Sequence, residues 1–483
     1  MIPLLRTPGA YVEFDSSRAQ QGPSVLAYTA LIIGPKLAAG SAAVHTVQRV
    51  TSDEQAVELF GAGSILAQMC AAFRAANPTT DLRAVAVADD DAGVAATGEI
   101  LFSGSATVAG TLALYIGGRA VKVGVTTSMT AADLATAVAA KINADTSLPV
   151  TAGVDGVETG QVNLTARHKG ECHNELDVRL NYYGEATPAG ITATVTAMSG
   201  GATNPELDDL IAALGDEWFN ILAMPFTDAA SLTAMETELA RRWGPLVMIE
   251  GHLFTAKSDT FANLTTLGES RNSPHLTVMA AGKIPSAPWE VAACAAGVAA
   301  YFGQMDPARP FQTLPLTGIL PPAESERLTR EERDLLLHDG ISTFTVDSGG
   351  VVRVERLIST YKENAAGAAD TAYLDVNTLL TLGYLRFDWR NLLLRKYPRH
   401  KLANDGTRYG TTQAVVTPKL IKAEAIAWFR AMEELGLVEG IDQFKNDLVV
   451  QRNAQDPNRL DIVLPPDLVN QFRVSGTTVQ FLL

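Results

Sequence analysis

Phe219-Asn-Ile-Leu-Ala-Met224, then a helical stretch from Asp228 to Trp243, then Leu246-Val-Met-Ile-Glu250: this succession decides how the chain is read. Two nearly continuous apolar runs of strand length flank a segment with helical spacing. Runs this short and this apolar suit strands buried on both faces, as in a parallel sheet covered by helices. The pattern continues through a helix at Ser258–Arg271, an apolar strand at Leu276–Ala280 and a helix at Trp289–Tyr301. It also exists upstream. Val25–Ile33 reads as a strand ending at Gly34, and Ser52-Asp53-Glu54 caps a helix to Phe60 that stops at Gly61. Ser64–Ala76 is a second amphipathic helix, and Leu82–Ala88 a buried strand.

Between these halves the composition changes. Residues 93–202 are rich in Thr, Gly, Val and Ala and poor in aromatics. Short alternating runs at Gly98–Ser103, Gly110–Ile116, Ala120–Thr126, Val162–Ala166, Asp177–Asn181 and Ile191–Ala197 are separated by turn residues, with one helix at Thr130–Ala144. The α/β alternation resumes when a helix opens at Pro205. The fold class expected is therefore α/β: a discontinuous core of residues 25–92 and 203–350 carrying an inserted, mostly β domain at 93–202. Ile341–Val346 and Val351–Ile358 flank Asp347-Ser-Gly-Gly350 as a hairpin. A mixed α+β C-terminal domain, residues 351–470, holds helices at Asp370–Lys396 and Pro418–Leu435, then strands at Asp447–Arg452 and Arg459–Val463. The ends read as extended arms, residues 1–24 and 471–483. Ala10–Asp15 and Gly476–Leu483 are the segments able to add a strand to another subunit's sheet edge.

The chain of 483 residues is 47% hydrophobic and 19% charged, which excludes intrinsic disorder. Its net charge of −15 argues against a binder of duplex DNA. Three scattered cysteines form no disulfide framework, so a reducing compartment is expected. Met1-Ile-Pro-Leu-Leu-Arg6 lacks the basic start and apolar core of a secretory signal. The longest apolar run, Val291–Phe302, is too short to span a bilayer, which takes about 20 residues. A protein made and folded in the cytoplasm, without membrane insertion, is expected.

Charge is unevenly spread. Residues 1–350 hold 21 Lys and Arg against 38 Asp and Glu, a net of −17; residues 351–483 hold 17 against 15, a net of +2. Nine cations crowd 386–422: Arg386, Arg390, Arg395, Lys396, Arg399, Lys401, Arg408, Lys419 and Lys422, opposed by Asp388 and Asp405. Such a stretch in an acidic protein suits either an acidic partner or acidic residues elsewhere in the fold.

Motifs of chemistry are missing. Neither the Gly-x-Ser-x-Gly elbow nor a phosphate-cradling loop occurs. Gly61-Ala-Gly63 reads as a helix stop followed by a helix cap at Ser64. His168, Cys172 and His173 lie close in sequence, but no second pair supplies the spacing of a zinc site. His252, in Glu250-Gly-His252, follows the expected strand end, where α/β catalytic groups often sit. No catalytic residue, cofactor or metal is assigned.

Several segments resemble tail sheath proteins of Mu-like contractile bacteriophages. They are Thr7-Pro-Gly-Ala-Tyr-Val-Glu13, Phe60-Gly61 followed by Ser64, Met305-Asp-Pro-Ala-Arg-Pro-Phe-Gln-Thr-Leu-Pro-Leu-Thr-Gly-Ile319, Leu335-Leu-Leu-His-Asp-Gly-Ile-Ser-Thr-Phe344, Ile358-Ser-Thr-Tyr-Lys-Glu-Asn364, Tyr373-Leu-Asp-Val376 and Phe444-Lys-Asn-Asp-Leu-Val-Val450. The resemblance implies a structural subunit, not an enzyme. It polymerises with itself as stacked hexameric rings around an inner tail tube protein, alongside baseplate and tail terminator proteins. Contraction then drives the tube through the host envelope. It implies a place in the virion after assembly in the host cytoplasm, with no nucleic acid bound. It also implies that the arms, at Tyr11, Val12, Glu13, Phe14, Thr478, Val479, Gln480 and Phe481, enter sheets in the C-terminal domains of neighbours. Arg386, Arg390, Arg395, Lys396, Arg399 and Lys401 become candidates for tube or intersubunit contacts, and the insertion is expected to project outward. Alternatives are the sheath of a phage-derived bacteriocin particle, an α/β hydrolase, or a glycan-binding insertion.

Overall fold

The computed structural model describes residues 26–410 and 413–482. Their contacts divide into two units, residues 27–383 with the tail 470–482, and residues 384–469. The larger unit opens with β1 (Thr29–Pro35), β2 (Val47–Arg49), α1 (Asp53–Phe60), α2 (Ile65–Ala76) and β3 (Asp81–Val87). The inserted segment follows as β4 (Ala95–Gly104), β5 (Gly110–Ile116), β6 (Arg119–Val125), α3 (Ala131–Ala144), β7 (Val150–Val154), β8 (Gln161–Lys169), a short 3-10 turn at Cys172–Glu175, β9 (Val178–Leu180) and β10 (Ile191–Ser199). The chain returns through α4 (Asp208–Leu214), β11 (Ile221–Ala223), α5 (Ala229–Trp243), β12 (His252–Lys257), α6 (Phe261–Glu269), β13 (Leu276–Ala280), α7 (Pro288–Met305), α8 (Arg330–His338), β14 (Ile341–Val346) and β15 (Val352–Arg356). A long helix, α9 (Val376–Lys396), then begins.

Side-chain caps start these helices where the sequence places them. Ser52 accepts the Gln55 N–H and Ser64 the Ala67 N–H, while Thr130 and Asp133 form a reciprocal capping box. Gly61, at φ +91°, ends α1 as read.

Eight strands form the main sheet in the order β15-β14-β13-β12-β11-β1-β3-β2. From β14 to β3 all neighbours are parallel, and each edge strand is antiparallel. The α/β class is thus observed. Strand order reverses at β1/β11: the chain moves to one side through α1 and α2, and to the other through α5 and α6. By the right-handed rule for such crossovers, connections running in both directions put helices on both faces of the sheet.

Helices α2 and α7 pack against each other and against β1, β11 and β12. The apolar run at 291–302 is explained here. Helix α7 is buried almost all round by Ala292, Ala293, Ala295, Ala296, Ala299 and Ala300. Its small residues permit close approach: a Cβ on Gly297 would lie 2.9 Å from the Phe73 carbonyl oxygen of α2. Trp289 Nε1 donates to Gln68 Oε1 (2.9 Å) and Asn77 Nδ2 to the Gly297 carbonyl (3.1 Å), pinning the helices in register. Among the described residues no helix is long and apolar enough to cross a membrane.

The insertion forms two antiparallel sheets, β10-β4-β8-β7 and β6-β5-β9, with α3 packed on β4, β6, β7 and β8. Within the insertion, β7 is the strand absent from the sequence reading. Gly153 and the shortness of the run hide its alternation.

Two expectations are corrected. Leu246–Glu250 is not a strand; the strand lies six residues later, where Ile221, Leu222 and Ala223 pair with His252, Leu253 and Phe254. The apolar run is a loop after α5, with Leu246 94% exposed and Met248 in the left-handed region at φ +55°. His252 consequently opens a strand rather than following one. Second, β15 pairs with β14 and completes the main sheet, so a boundary at 350/351 cuts through a hairpin that the contacts keep whole.

In the smaller unit, Phe429 of α10 (Pro418–Glu434) stacks on Phe444 of α11 (Ile441–Asp447) at 4.1 Å between centroids. Trp428 Nε1 donates to Asp388 Oδ2 at 3.0 Å. A separate antiparallel hairpin joins Val449–Arg452 to Leu460–Val463.

Helix glycines exchanged for alanine ordinarily gain stability, by about 1 kcal/mol. Gly297→Ala should instead lose about 1–3 kcal/mol by overpacking against α2, read as a lower urea midpoint. A gain would show that the α2–α7 contact is looser than described.

Candidate interaction surfaces

Open α/β sheets bind ligands in the crevice at the carboxyl ends of their strands, where strand order reverses. In this chain the insertion occupies that edge. Glu175, from its 3-10 turn, receives Lys257 Nζ (2.5 Å) at the end of β12 and the Ser258 N–H (2.7 Å). Cys172 Sγ contacts the carbonyl of Pro225, beyond β11, at 3.7 Å. Arg119 reaches Glu290 at the start of α7 (2.6 Å), and Tyr182 donates to the Pro321 carbonyl (2.8 Å). Arg179 holds Asp177 and also bridges to Glu326 (3.0 Å) and the Lys283 carbonyl (3.1 Å).

Two of the histidines singled out by sequence, His168 and His173, belong to the same seam. The Ile65 N–H, at the start of α2, points to His168 Nε2 (3.4 Å). A backbone N–H can only donate, so Nε2 is the acceptor and Nδ1 carries the proton toward Asp89 Oδ1 (3.0 Å). His173 lies fully buried, with ring centroids 5.0 Å from Trp289 and 6.2 Å from His168. Burial, reinforced by the charge His168 would carry, pushes the His173 pKa down to about 3. At the opposite, amino end of the sheet, the Thr277 hydroxyl donates to the Ile358 carbonyl (2.7 Å) and so accepts from His252 Nε2 (2.7 Å). Burial, then His275, takes His252 to about 3 as well. Both imidazoles pack as neutral rings.

These groups do little chemistry where they stand. All three cysteines are buried, and burial raises each thiol, Cys294 to about 12, the reverse of an activated thiolate. Among the described residues no group of three or more His, Cys, Asp or Glu is arranged to hold a metal ion.

The basic stretch lies in the smaller unit. Arg386 is half-buried on α9, and Arg390, Arg395, Lys396, Arg399 and Lys401 are exposed. Lys396 Nζ pairs with Glu424 (2.8 Å), which also accepts from the Tyr397 hydroxyl (2.7 Å). Lys401 Nζ donates to Gln413 (2.9 Å). Arg390, Arg395 and Arg399 make no ion pair among the described residues. Asp388, counted against them by composition, is buried on Trp428, and Asp405 accepts the Lys419 backbone N–H. Of the two opposing carboxylates, Asp388 is thus withdrawn from the surface while Asp405 stays exposed on it.

Tyr11, Val12, Glu13 and Phe14 lie outside the described residues. Thr478, Val479, Gln480 and Phe481 form no strand, and the apolar side chains beside them are exposed, Phe481 by 78% and Leu482 by 100%. Sequence reasoning missed the residues that fasten this tail, Gln471 and Arg473. Gln471 Nε2 donates to the Ala308 carbonyl (3.0 Å), and Arg473 pairs with Asp375 (2.9 Å).

Neutral His173 and His252 link stability to pH. With folded values near 3 and an unfolded value near 6.5, stability is complete above 6.5 and falls as pH drops toward 3. Each should cost about 1.4 kcal/mol between pH 7.5 and 5.5, and His252→Gln, which keeps a donor for Thr277, should remove one such contribution from urea unfolding curves. An unchanged pH dependence in His252→Gln would contradict the neutral assignment.

Comparison with known proteins agrees with this geometry. Residues 91–202 match the phage tail sheath protein beta-sandwich domain, 200–360 the phage tail sheath protein central domain, and 368–481 the phage tail sheath C-terminal domain. The Mu-like prophage FluMu tail sheath protein of Haemophilus influenzae is 44% identical over 480 residues, 99% of this chain and 98% of that protein. The sheath tail protein of Desulfitobacterium hafniense aligns with a TM-score of 0.49 at 14% identity, over 95% of this chain and 100% of that one. The PVC sheath complex of an extracellular contractile injection system, in the contracted state, aligns with a TM-score of 0.50 at 10% identity, over 99% and 98%. At 10% identity the likeness to the sheath complex is one of fold. The full-length relative decides the matter: the chain belongs to the phage tail sheath family, a family of structural proteins and not of enzymes.

Proposed function

We propose that this sheath subunit polymerises with copies of itself as stacked hexameric rings around an inner tail tube. On a trigger from the baseplate it contracts and drives the tube through the host envelope for genome delivery. The observation that carries this reading is the 44% identity to a Mu-like prophage tail sheath protein over 99% of the chain, core, insertion and tail together. The partners are then the tube, the baseplate and the tail terminator. The place of action is the virion tail, after assembly in the host cytoplasm. Residues 27–92 and 203–383, which keep the β14/β15 hairpin whole, act as the body, 93–202 as the outer domain and 384–469 as the tube-facing domain, with arms at 1–24 and 471–483.

The surfaces support each part. The hairpin Val449–Arg452/Leu460–Val463 is a two-stranded sheet whose Val449 and Val463 are exposed. Two strands alone are marginal and present open edges, so they suit added strands from neighbouring arms. Backbone hydrogen bonds can hold such a mesh while the bodies of the subunits move. Contacts with the tube must instead break. Exposed ion pairs worth about 0–1 kcal/mol each suit release, and the exposed Arg390, Arg395 and Arg399 are the residues we assign to them.

Lys396 is engaged with Glu424, so it is left intact in the test. Co-expression of the double variant Arg395→Glu, Arg399→Glu with the tube protein should reduce sheathed tubes at least tenfold in negative-stain images, while the subunit keeps its thermal midpoint. Raised salt should recover part of the loss, because screening weakens the new repulsion. Normal sheathing by the double variant would remove these arginines from the tube interface.

A further inference from the structure

Resting on the reading of the C-terminal tail as an intersubunit arm, we infer that Asp375 anchors the root of that arm and fixes where it leaves the subunit. Three elements meet at this one carboxylate. Arg356, the last residue of β15, approaches with Nε on Oδ1 and Nη2 on Oδ2, both at 3.1 Å. Arg473, from the tail, brings Nη2 to Oδ1 at 2.9 Å. Asp375 itself directly precedes α9. The side chains are 29%, 15% and 22% exposed for Arg356, Arg473 and Asp375, so the cluster is largely withdrawn from solvent and is screened less than a surface pair.

Hydrogen bonds flank the cluster. Gln471 Nε2 donates to the Ala308 carbonyl (3.0 Å), and Gln312 Nε2 to the Phe472 carbonyl (3.4 Å). The chain is thus tied across residues 471–473. Immediately beyond, it is not: Val474 is 86% exposed and Val479 80%. A short apolar segment, fastened at its root and bare along its length, fits a second copy of this chain as its partner.

The charges make the anchor asymmetric. One carboxylate serves two guanidinium groups, so it holds the tail and also keeps Arg356 and Arg473 from repelling each other. Burial pulls the Arg473 pKa down, Asp375 opposes this, and Arg356 adds to it. Asp375 passes its share of any pull on the arm into the edge strand β15 and the start of α9.

The test uses the full chain with Val474→Cys carrying a nitroxide label, since Cys70, Cys172 and Cys294 are buried. Arg473→Gln removes the tail's partner but keeps the Arg356–Asp375 pair; Asp375→Asn removes the anchor; Arg473→Lys keeps the charge; truncation after Arg473 removes the arm. Arg473→Gln and Asp375→Asn should both free the label on the isolated subunit; Arg473→Gln should do so at an unchanged thermal midpoint, whereas Asp375→Asn should lower it, because Arg356 and Arg473 are left facing each other. Both should also raise the concentration needed for assembly about tenfold, as expected for a lost charge-assisted contact, and Arg473→Lys should restore most of it. Label mobility and assembly like those of the native chain in Arg473→Gln and Asp375→Asn, with truncation abolishing assembly, would overturn the anchor and leave the arm standing. Truncated chains that assemble like the native protein would overturn the arm and the anchor together.

Discussion

A parallel sheet of apolar strands must be covered on both faces, and in this chain the covering also closes the end where such sheets hold ligands. Everything else follows from that constraint. The helix α7 can lie buried along the sheet because its inward positions are Ala and Gly, and because α2 meets it backbone to backbone at Gly297 and Phe73. The insertion then seats its Cys172–Glu175 turn on the ends of β11 and β12, with Glu175 on Lys257 and Ser258. A scaffold familiar from enzymes has that end of its sheet covered by the insertion. Function moves from a crevice to the outer surface, which is where a self-assembling structural protein needs it.

Much of this was legible in the chain because local signals and global fold agree. Ser52, Ser64, Thr130 and Asp228 cap helices where they stand in the sequence, and Leu276–Ala280 is a strand without adjustment. The failures have physical causes. Leu246–Ile249 looks like a buried strand because it is apolar, yet it follows Gly244-Pro245 directly at the end of α5 and turns there, leaving Leu246 in solvent. The true strand, His252–Lys257, begins with a polar residue that periodicity discounts. Its imidazole is tolerated because Thr277, on the neighbouring strand, offers a hydroxyl oxygen. Likewise a boundary at 350/351 parts β15 from its sheet, because a hairpin turn reads the same at a domain boundary as within a domain.

The candidate surfaces were legible only as inventory. Composition counts cations in 386–422 but does not say that Lys396 is engaged with Glu424, or that Asp388 is buried on an indole. It marks an apolar C-terminal tail but not its root. Arg356, Asp375 and Arg473 are widely separated in sequence, and only the fold brings them to one point. The segment Ile358-Ser-Thr360, one of those that resembles the sheath family, has a similar explanation. Its hydroxyls and carbonyls thread between strands, with Ser342 and Thr277 donating to the Ile358 carbonyl and Thr360 to that of Ser273. Buried polar groups of this kind need every partner, which ties the residue types to the fold.

The central claim is that this subunit acts by assembling with itself. The most direct measurement is negative-stain electron microscopy of the purified full-length protein over a rising concentration series, alone and co-expressed with its tube protein. The account predicts ridged hollow tubes or stacked rings that appear above a threshold concentration, and sheathed tubes on co-expression. Dispersed single particles at every concentration, with bare tubes on co-expression, would contradict it.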